Sequence, residues 1–267
     1  MTQEINLEEY NKDEEFLYIK SYMFIKGYAV GREMPYTLKA LPLVRKVHNG
    51  QYRKGEVEVG GAKYRLPYVL HVLKVASTLL SLSLPLDNKE LDYLIASALL
   101  HDSIEDGKET LGDDGYKLVS LFDFPEEIYD IVTLLSKNAG ATSEELEDYF
   151  NNLKKNKLAL LIKLSDRSHN VEDLYNMKPE KLHKYVEETR EYIYPLTAYA
   201  KANYPELSPG VTIIKSKIVS LTELTEVLVD MYNERLDKKD AMIQRLEAQL
   251  FVDTTSLDAD MDNISDS

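Results

Sequence analysis

The chemistry-bearing residues of this chain gather at the polar ends of apolar runs. His101 and Asp102 follow the segment Ala96-Ser97-Ala98-Leu99-Leu100, which delivers two ionisable side chains to the edge of an interior. Burying an unpaired carboxylate is costly, and a cation is one of the few partners that offsets the cost. Glu105 and Asp106 follow at i+4 from each member of the pair. On a helix that spacing stacks Glu105 over His101 and Asp106 over Asp102. His71 lies inside the apolar run LPYVLHVLKVA, and Asp166 lies just past the run LALLIKLS. Taken singly, His71 reads equally as a core histidine and Asp166 as a helix-end carboxylate paired with Arg167. With His101 and Asp102 they make two histidines and two carboxylates. That donor set suits Mn2+, Fe2+ or Zn2+ and leaves positions open for water and phosphate.

Rigid elements must hold these groups, and the patterning predicts helices. One spans 16–26, ended by a break at Gly27 and Gly31, and another spans 36–48. A third opens at Pro67 and runs to Ser81, and a fourth is capped by Asn88 and runs to about Glu105. More are expected near 125–137, 143–152, 155–166 and 178–203. The exception is Gly55 to Arg65, where Val57 and Val59 alternate before Gly60-Gly61, the pattern of a β-hairpin. From Thr212 to Leu250 the apolar stripe Leu221, Leu224, Leu228, Met231 predicts a long amphipathic helix. Such a stripe packs on its own domain or pairs with a second copy as a homodimeric coiled coil. The expected organisation is an N-terminal helical extension over 1–35, a helical catalytic domain over 36–205, the amphipathic helix over 206–250 and a disordered acidic tail over 251–267.

Composition narrows the function. With 44% hydrophobic and 29% charged residues the chain of 267 residues is an ordinary globular protein. It has no cysteine, so a metal site must use His, Asp and Glu. The acidic N-terminus lacks a signal-peptide pattern, and no apolar run nears the roughly 18 residues of a membrane span. A cytoplasmic location without membrane attachment is the expectation. The net charge of -14 argues against a nucleic-acid polymer as partner. Between Leu41 and Val75, however, seven basic residues face only Glu56 and Glu58, a local net of +5. Such an island suits a small phosphorylated ligand.

The ordered motifs resemble the HD-domain phosphohydrolases, and more narrowly the hydrolase domain of the Rel/SpoT alarmone enzymes and the small alarmone hydrolases, the metazoan SpoT homologue among them. HNGQYRK (His48 to Lys54) is similar to the family's H-x-G-Q-x-R-K, and LPYVLHVLKVA to its P-Y-x-x-H-P-x-x-V-A helix. ALLHDSIED matches A-L-L-H-D-x-x-E-D, IKLSDRSHN matches I-K-L-A-D-R-x-H-N, and EETREYIYPLTAYA resembles the helix that follows. The likeness runs from Leu41 to Tyr199. It implies an all-α HD fold, with the hairpin as a small insertion and the long C-terminal helix appended. It implies Mn2+ on His71, His101, Asp102 and Asp166, with Glu105 and Asp106 as the catalytic pair. Arg53, Lys54 and Asn170 would bind substrate, joined by Lys63 and Arg65 from the insertion. The implied reaction is hydrolysis of guanosine tetra- or pentaphosphate at the 3′ ester, giving pyrophosphate and GDP or GTP.

Departures from the family keep alternatives open. The linker from Lys54 to Pro67 is longer than usual, and Val72 replaces a proline. Val171-Glu172-Asp173-Leu174 stands where the family has M-R-T-L, which bears on the nucleoside pocket. Another nucleotide, such as NADPH, a dNTP or a nucleoside monophosphate, is the second reading. A catalytically silent nucleotide sensor is the third, opposed by the intact ligand set. The C-terminal region shows no synthetase motif, so a hydrolase without a synthetase is expected.

Overall fold

The computed structural model describes residues 7–53, 57–59, 62–137, 140–176 and 179–265. Two helices lead, α1 (Leu7–Gly31) and α2 (Pro35–Val47), followed by strands β1 (Val57–Val59) and β2 (Ala62–Tyr64). The strands pair antiparallel, with Val57 opposite Tyr64 and Val59 opposite Ala62. Next come α3 (Val69–Ser81), α4 (Asn88–Leu100) and three single turns, α5 (Ser103–Asp106), α6 (Lys108–Leu111) and α7 (Lys117–Ser120). The helices α8 (Glu126–Leu135), α9 (Ser143–Leu153) and α10 (Lys157–Asn170) follow, then a 3-10 stretch Val171–Asn176. The remainder is α11 (Pro179–Glu188), a π turn Thr189–Ile193, α12 (Tyr194–Asn203), a 3-10 turn Pro205–Leu207 and α13 (Ser208–Ser265). Among the described residues no helix is long and apolar enough to cross a membrane.

The chain divides into two compact units, residues 1–221 and 222–267. In the first, α4 is the central helix, packed by α2, α3, α8 and α10. Leu94, Ile95, Ala98, Leu99 and Leu100 are fully buried, so the helix that ends at His101 is buried on every side from Leu94 onward. Polar ties fix its neighbours. Asp92, buried on α4, accepts from the backbone N–H groups of Tyr36 and Thr37 at 3.0 and 2.7 Å. It thereby caps the N-terminus of α2 from another helix. Ser165 Oγ on α10 donates to the Val75 carbonyl on α3 at 3.1 Å.

Four expectations change in the first unit. The N-terminal segment is no extension, because α1 packs on α2 and α3 and buries Ile25 and Ala29, with Met34 following. Gly27 does not break it. A Cβ there would meet nothing within 4 Å, so Gly27 costs only its propensity of about 1 kcal/mol, which the buried face offsets. The cap of α4 is Asp87, whose Oδ1 accepts from Glu90 N–H at 2.8 Å, while Asn88 Oδ1 accepts from Arg32 at 3.2 Å. Finally, α4 ends before Glu105. His101 turns its Nδ1–H back onto the Ala98 carbonyl at 2.8 Å, and Asp102 takes φ -98 and ψ 2 before α5 begins.

The second unit is the continuation of α13 from Thr222. Its apolar residues Leu224, Leu228, Met231, Tyr232 and Leu236 are exposed. The helix expected over 206–250 begins at Ser208 and reaches Ser265, through most of the tail read as disordered. Once a helix exists, each added residue gains a hydrogen bond without a new nucleus, so polar residues can extend it.

Candidate metal centre

The centre sits where α3, α4 and α10 meet. His71 comes from the first turn of α3, His101 and Asp102 from the end of α4, and Asp166 from the last turns of α10. His71 Nε2 lies 3.1 Å from Asp166 Oδ1 and 3.7 Å from Asp102 Oδ2. His101 Nε2 lies 2.8 Å from Asp102 Oδ2 and 3.8 Å from Asp166 Oδ1. One donor atom each from His71, His101 and Asp166 falls within 4.8 Å of the others. Both histidines are buried, and their Nε2 atoms turn onto the Asp166 and Asp102 carboxylates. Two buried imidazole nitrogens and two carboxylates converging on one point fit a divalent ion with N and O ligands.

The electrostatics agree with a site built for positive charge. Burial alone would push His101 down, but the Asp102 and Asp166 carboxylates outweigh it and raise its pKa to about 10. Burial likewise opposes charge on Asp102, yet His101 beside it holds the carboxyl below the usual range. Asp166 is held low in the same way by Lys163 and the two histidines. For His71, burial dominates and lowers the pKa, with Asp166 opposing.

Around these groups stands a shell in which Tyr68, Lys163 and His169 had no role from the sequence motifs, and Asn170 had only that of a substrate contact. Tyr68 Oη donates to Asp102 Oδ2 at 2.6 Å, and Lys163 Nζ donates to Asp166 Oδ2 at 3.1 Å. Asn170 Nδ2 donates to Asp166 Oδ1 at 2.6 Å. His71 Nδ1 meets His169 Nδ1 at 2.7 Å. The signal was present in the spacing, since Lys163, Asn170 and Asp166 fall three and four apart on one face of α10. Arg167, on the other side of α10, donates to Thr189 Oγ1 at 3.0 Å and pairs with Glu188. It anchors α10 to the π turn. Pro195 follows that turn, and a proline lacks an amide hydrogen and crowds the carbonyl four residues before it, so a wide turn relieves the clash.

The expected catalytic pair stands at the rim. Glu105 Oε1 accepts from the Lys137 backbone N–H at 2.6 Å. Glu105 is exposed at the rim, yet partial desolvation raises its pKa, the Lys137 N–H opposes, and Asp102 adds to the rise. Asp106 is exposed, and its carbonyl accepts from Gln51 Nε2 at 2.7 Å. Gln51 Oε1 in turn accepts from His48 Nδ1 at 2.6 Å, so the HNGQ segment clips the turn that carries Glu105 and Asp106. A cleft of about 460 Å3 opens there, lined by Lys46, Gln51, Glu105, Asp106 and Lys108.

Of the expected substrate contacts, Arg53 and Asn170 come together, with Arg53 Nη2 donating to Asn170 Oδ1 at 3.0 Å. Backbone pairing places them. Arg53 N–H donates to the Leu66 carbonyl at 2.8 Å, and Tyr68 N–H donates to that of Gln51 at 2.9 Å. The Arg53 guanidinium then lies 5.9 Å from the Tyr68 ring centroid. Arg65 is exposed and makes no hydrogen bond or ion pair with the centre among the described residues. Lys54 lies outside the described residues, as does the side chain of Lys63.

Residues 68–171 match the family described as HD domain, a span that holds all four candidate ligands. Over these residues the chain is similar to an HD domain. Curated relatives share the region that contains it. A GTP pyrophosphokinase of Myxococcus xanthus is 36% identical over 168 residues, 59% of this chain and 20% of the relative. A guanosine-3′,5′-bis(diphosphate) 3′-pyrophosphohydrolase of Haemophilus influenzae is 33% identical over 165 residues, 58% of this chain and 21% of the relative. This chain therefore spans about a fifth of their length. A solved structure described as a metazoan ortholog of SpoT that hydrolyzes ppGpp is similar at 22% identity with a TM-score of 0.49, covering 67% of this chain and 93% of that one.

Proposed function

We propose that the HD domain hydrolyses guanosine 3′,5′-bis(diphosphate) at its 3′ ester, releasing pyrophosphate and GDP, or GTP from the pentaphosphate. The observation that carries this reading is the pair of buried histidine Nε2 atoms converging on two carboxylates. The activity printed for the Haemophilus influenzae relative supports the substrate. His71, His101, Asp102 and Asp166 would hold a divalent ion, Mn2+ in this reading, which would supply the charge to acidify a water and to neutralise phosphoryl oxygens.

The rest is done by the chain's own groups. Glu105, whose pKa partial desolvation raises, takes a proton from the attacking water. The water oxygen bonds to the phosphorus attached to the ribose 3′ oxygen, and the bond between that phosphorus and the 3′ oxygen breaks. The departing 3′ oxygen takes up a proton, with Asp106 the second group placed at the rim to pass it. Arg53 offers a guanidinium to the phosphates, and Asn170, bonded to both Arg53 and Asp166, ties that clamp to the centre.

The test is pyrophosphate release from guanosine 3′,5′-bis(diphosphate) with Mn2+ present, run beside NADPH and dNTPs. Release from the first substrate supports the reading. Turnover of another nucleotide alone would keep the metal chemistry and overturn the substrate. We also propose that the exposed stripe of α13 pairs with a second copy of the chain, which a solution mass twice that of the chain would support.

A further inference from the structure

The contact between two imidazoles restricts where their protons sit. For His71 to present a lone pair at Nε2, its ring proton must be on Nδ1. That Nδ1 lies 2.7 Å from Nδ1 of His169, so His169 accepts there and carries its own proton on Nε2. His169 Nε2 faces Glu172 Oε2 at 3.8 Å, and Glu172 Oε1 is ion-paired with Lys217 on α13. The sequence therefore runs ligand, imidazole, carboxylate, ammonium, with the imidazole and carboxylate at ion-pair distance and longer than a hydrogen bond. A competing arrangement exists, because Asp166 Oδ1 at 3.1 Å from His71 Nε2 favours a proton on that nitrogen when no cation is present.

We propose that His169, Glu172 and Lys217 are positioning residues that select the Nδ1-protonated form of His71 and fix its ring as a metal ligand. The proposal rests on the metal centre described above and deepens it. Ligand histidines are commonly held by a carboxylate or carbonyl on their second nitrogen. Here a second imidazole is interposed, and the carboxylate comes from the segment in which this chain departs from the motif it otherwise resembles. Glu172 thus has a task at the centre without touching the nucleotide. Lys217 holds the carboxylate in position from α13, a helix that contributes none of the four candidate ligands.

The experiment titrates Mn2+ calorimetrically into the whole metal-free chain. His169→Phe is expected to weaken binding about 10–100-fold, and Glu172→Ala about tenfold. Because the two act in series, Glu172→Ala should add nothing in a His169→Phe background. Should His169→Phe fail to fold, Glu172→Gln and Lys217→Met, both at partly exposed positions, carry the test and should each weaken Mn2+ by about threefold or more. Long-range proton–nitrogen spectra of the Zn2+-loaded chain should show His169 protonated on Nε2, and Glu172→Ala should mix its tautomers. Unchanged Mn2+ affinity in the Glu172 variants, additive effects, or a proton on His169 Nδ1 in the loaded chain would each overturn the proposal. Failure of the unaltered chain to bind Mn2+ at all would overturn the metal centre, and the proposal with it.

Discussion

Gly107 closes the HDSIED turn, and replacing it with alanine should separate metal binding from hydrolysis. An added Cβ would meet the Ser103 carbonyl oxygen at 2.5 Å and Val47 Cγ1 at 2.6 Å. The first contact is with backbone and the second with the buried face of α2, so neither neighbour can yield cheaply. Restoring ordinary separation moves the turn by about 0.9 Å, and a displacement near 1 Å costs on the order of 100-fold in catalysis. Overpacking costs about 1–3 kcal/mol, and the φ of -110 is ordinary for alanine. A reduced unfolded-state entropy returns about 0.4–1 kcal/mol. The net loss is about 1–2 kcal/mol, or a melting point lower by roughly 2–8 °C. The moving part carries Glu105, pinned to Lys137, and Asp106, pinned to Gln51. His71, His101 and Asp166 are held by α3, α4 and α10 and should stay in place. Calorimetric Mn2+ affinity is therefore expected within about threefold of the unaltered chain, while kcat for pyrophosphate release falls about 10–100-fold. Unchanged kcat and melting point would refute the close-packing argument. A parallel collapse of Mn2+ affinity would show that the turn and the ligands move as one.

Glu105→Gln should keep Mn2+ affinity and lose at least about 100-fold in kcat, measured by pyrophosphate release, because the proton acceptor is gone while the ligands remain. Saturation with Mn2+ at about 100 times its Kd should stabilise the chain by about 2.7 kcal/mol, read as a rise in melting point, and His101→Ala should abolish that rise. Burial opposes charge on Glu188, but Arg167 beside it holds its carboxyl below the usual glutamate range. A depressed folded pKa contributes stability above the unfolded value that is lost as pH falls through the folded one. Glu188→Gln should therefore be less stable than the unaltered chain by about 1.5–3 kcal/mol at pH 7, with urea midpoints converging as pH falls below the usual glutamate range. For the second unit, Leu228→Glu with Met231→Glu is expected to halve the solution mass measured by light scattering; an unaltered chain already monomeric would sink the pairing.

The helical class and the positions of α2, α3, α8, α9 and α10 were legible to within a few residues, because a stripe of apolar residues at helical spacing is a local property. The candidate metal donors were legible for a related reason: each is an ionisable residue inside an apolar run or at its end, where burial without a partner would be costly. The shell was less so. Tyr68 and Gln51 lie far in sequence from Asp102 and Asp106, and only the pairing of 51–53 with 66–68 and the clip through His48 place them at the site. The course of α1 through Gly27 turned on burial of Ile25 and Ala29, which no local propensity reports.

The sequence by itself determined that this chain would be helical, acidic and furnished with two histidines and two carboxylates suited to one divalent ion. Tertiary structure alone decided how those groups are held. It ended α4 at His101, so that the i+4 stacking expected for Glu105 and Asp106 gave way to a separate turn packed on α2. It also set His169 between His71 and Glu172, and brought Lys217 from α13 to that carboxylate. The physical reason is that periodicity specifies which face of a helix is buried, whereas the partner on the far side of each hydrogen bond is chosen by packing between elements distant in the chain.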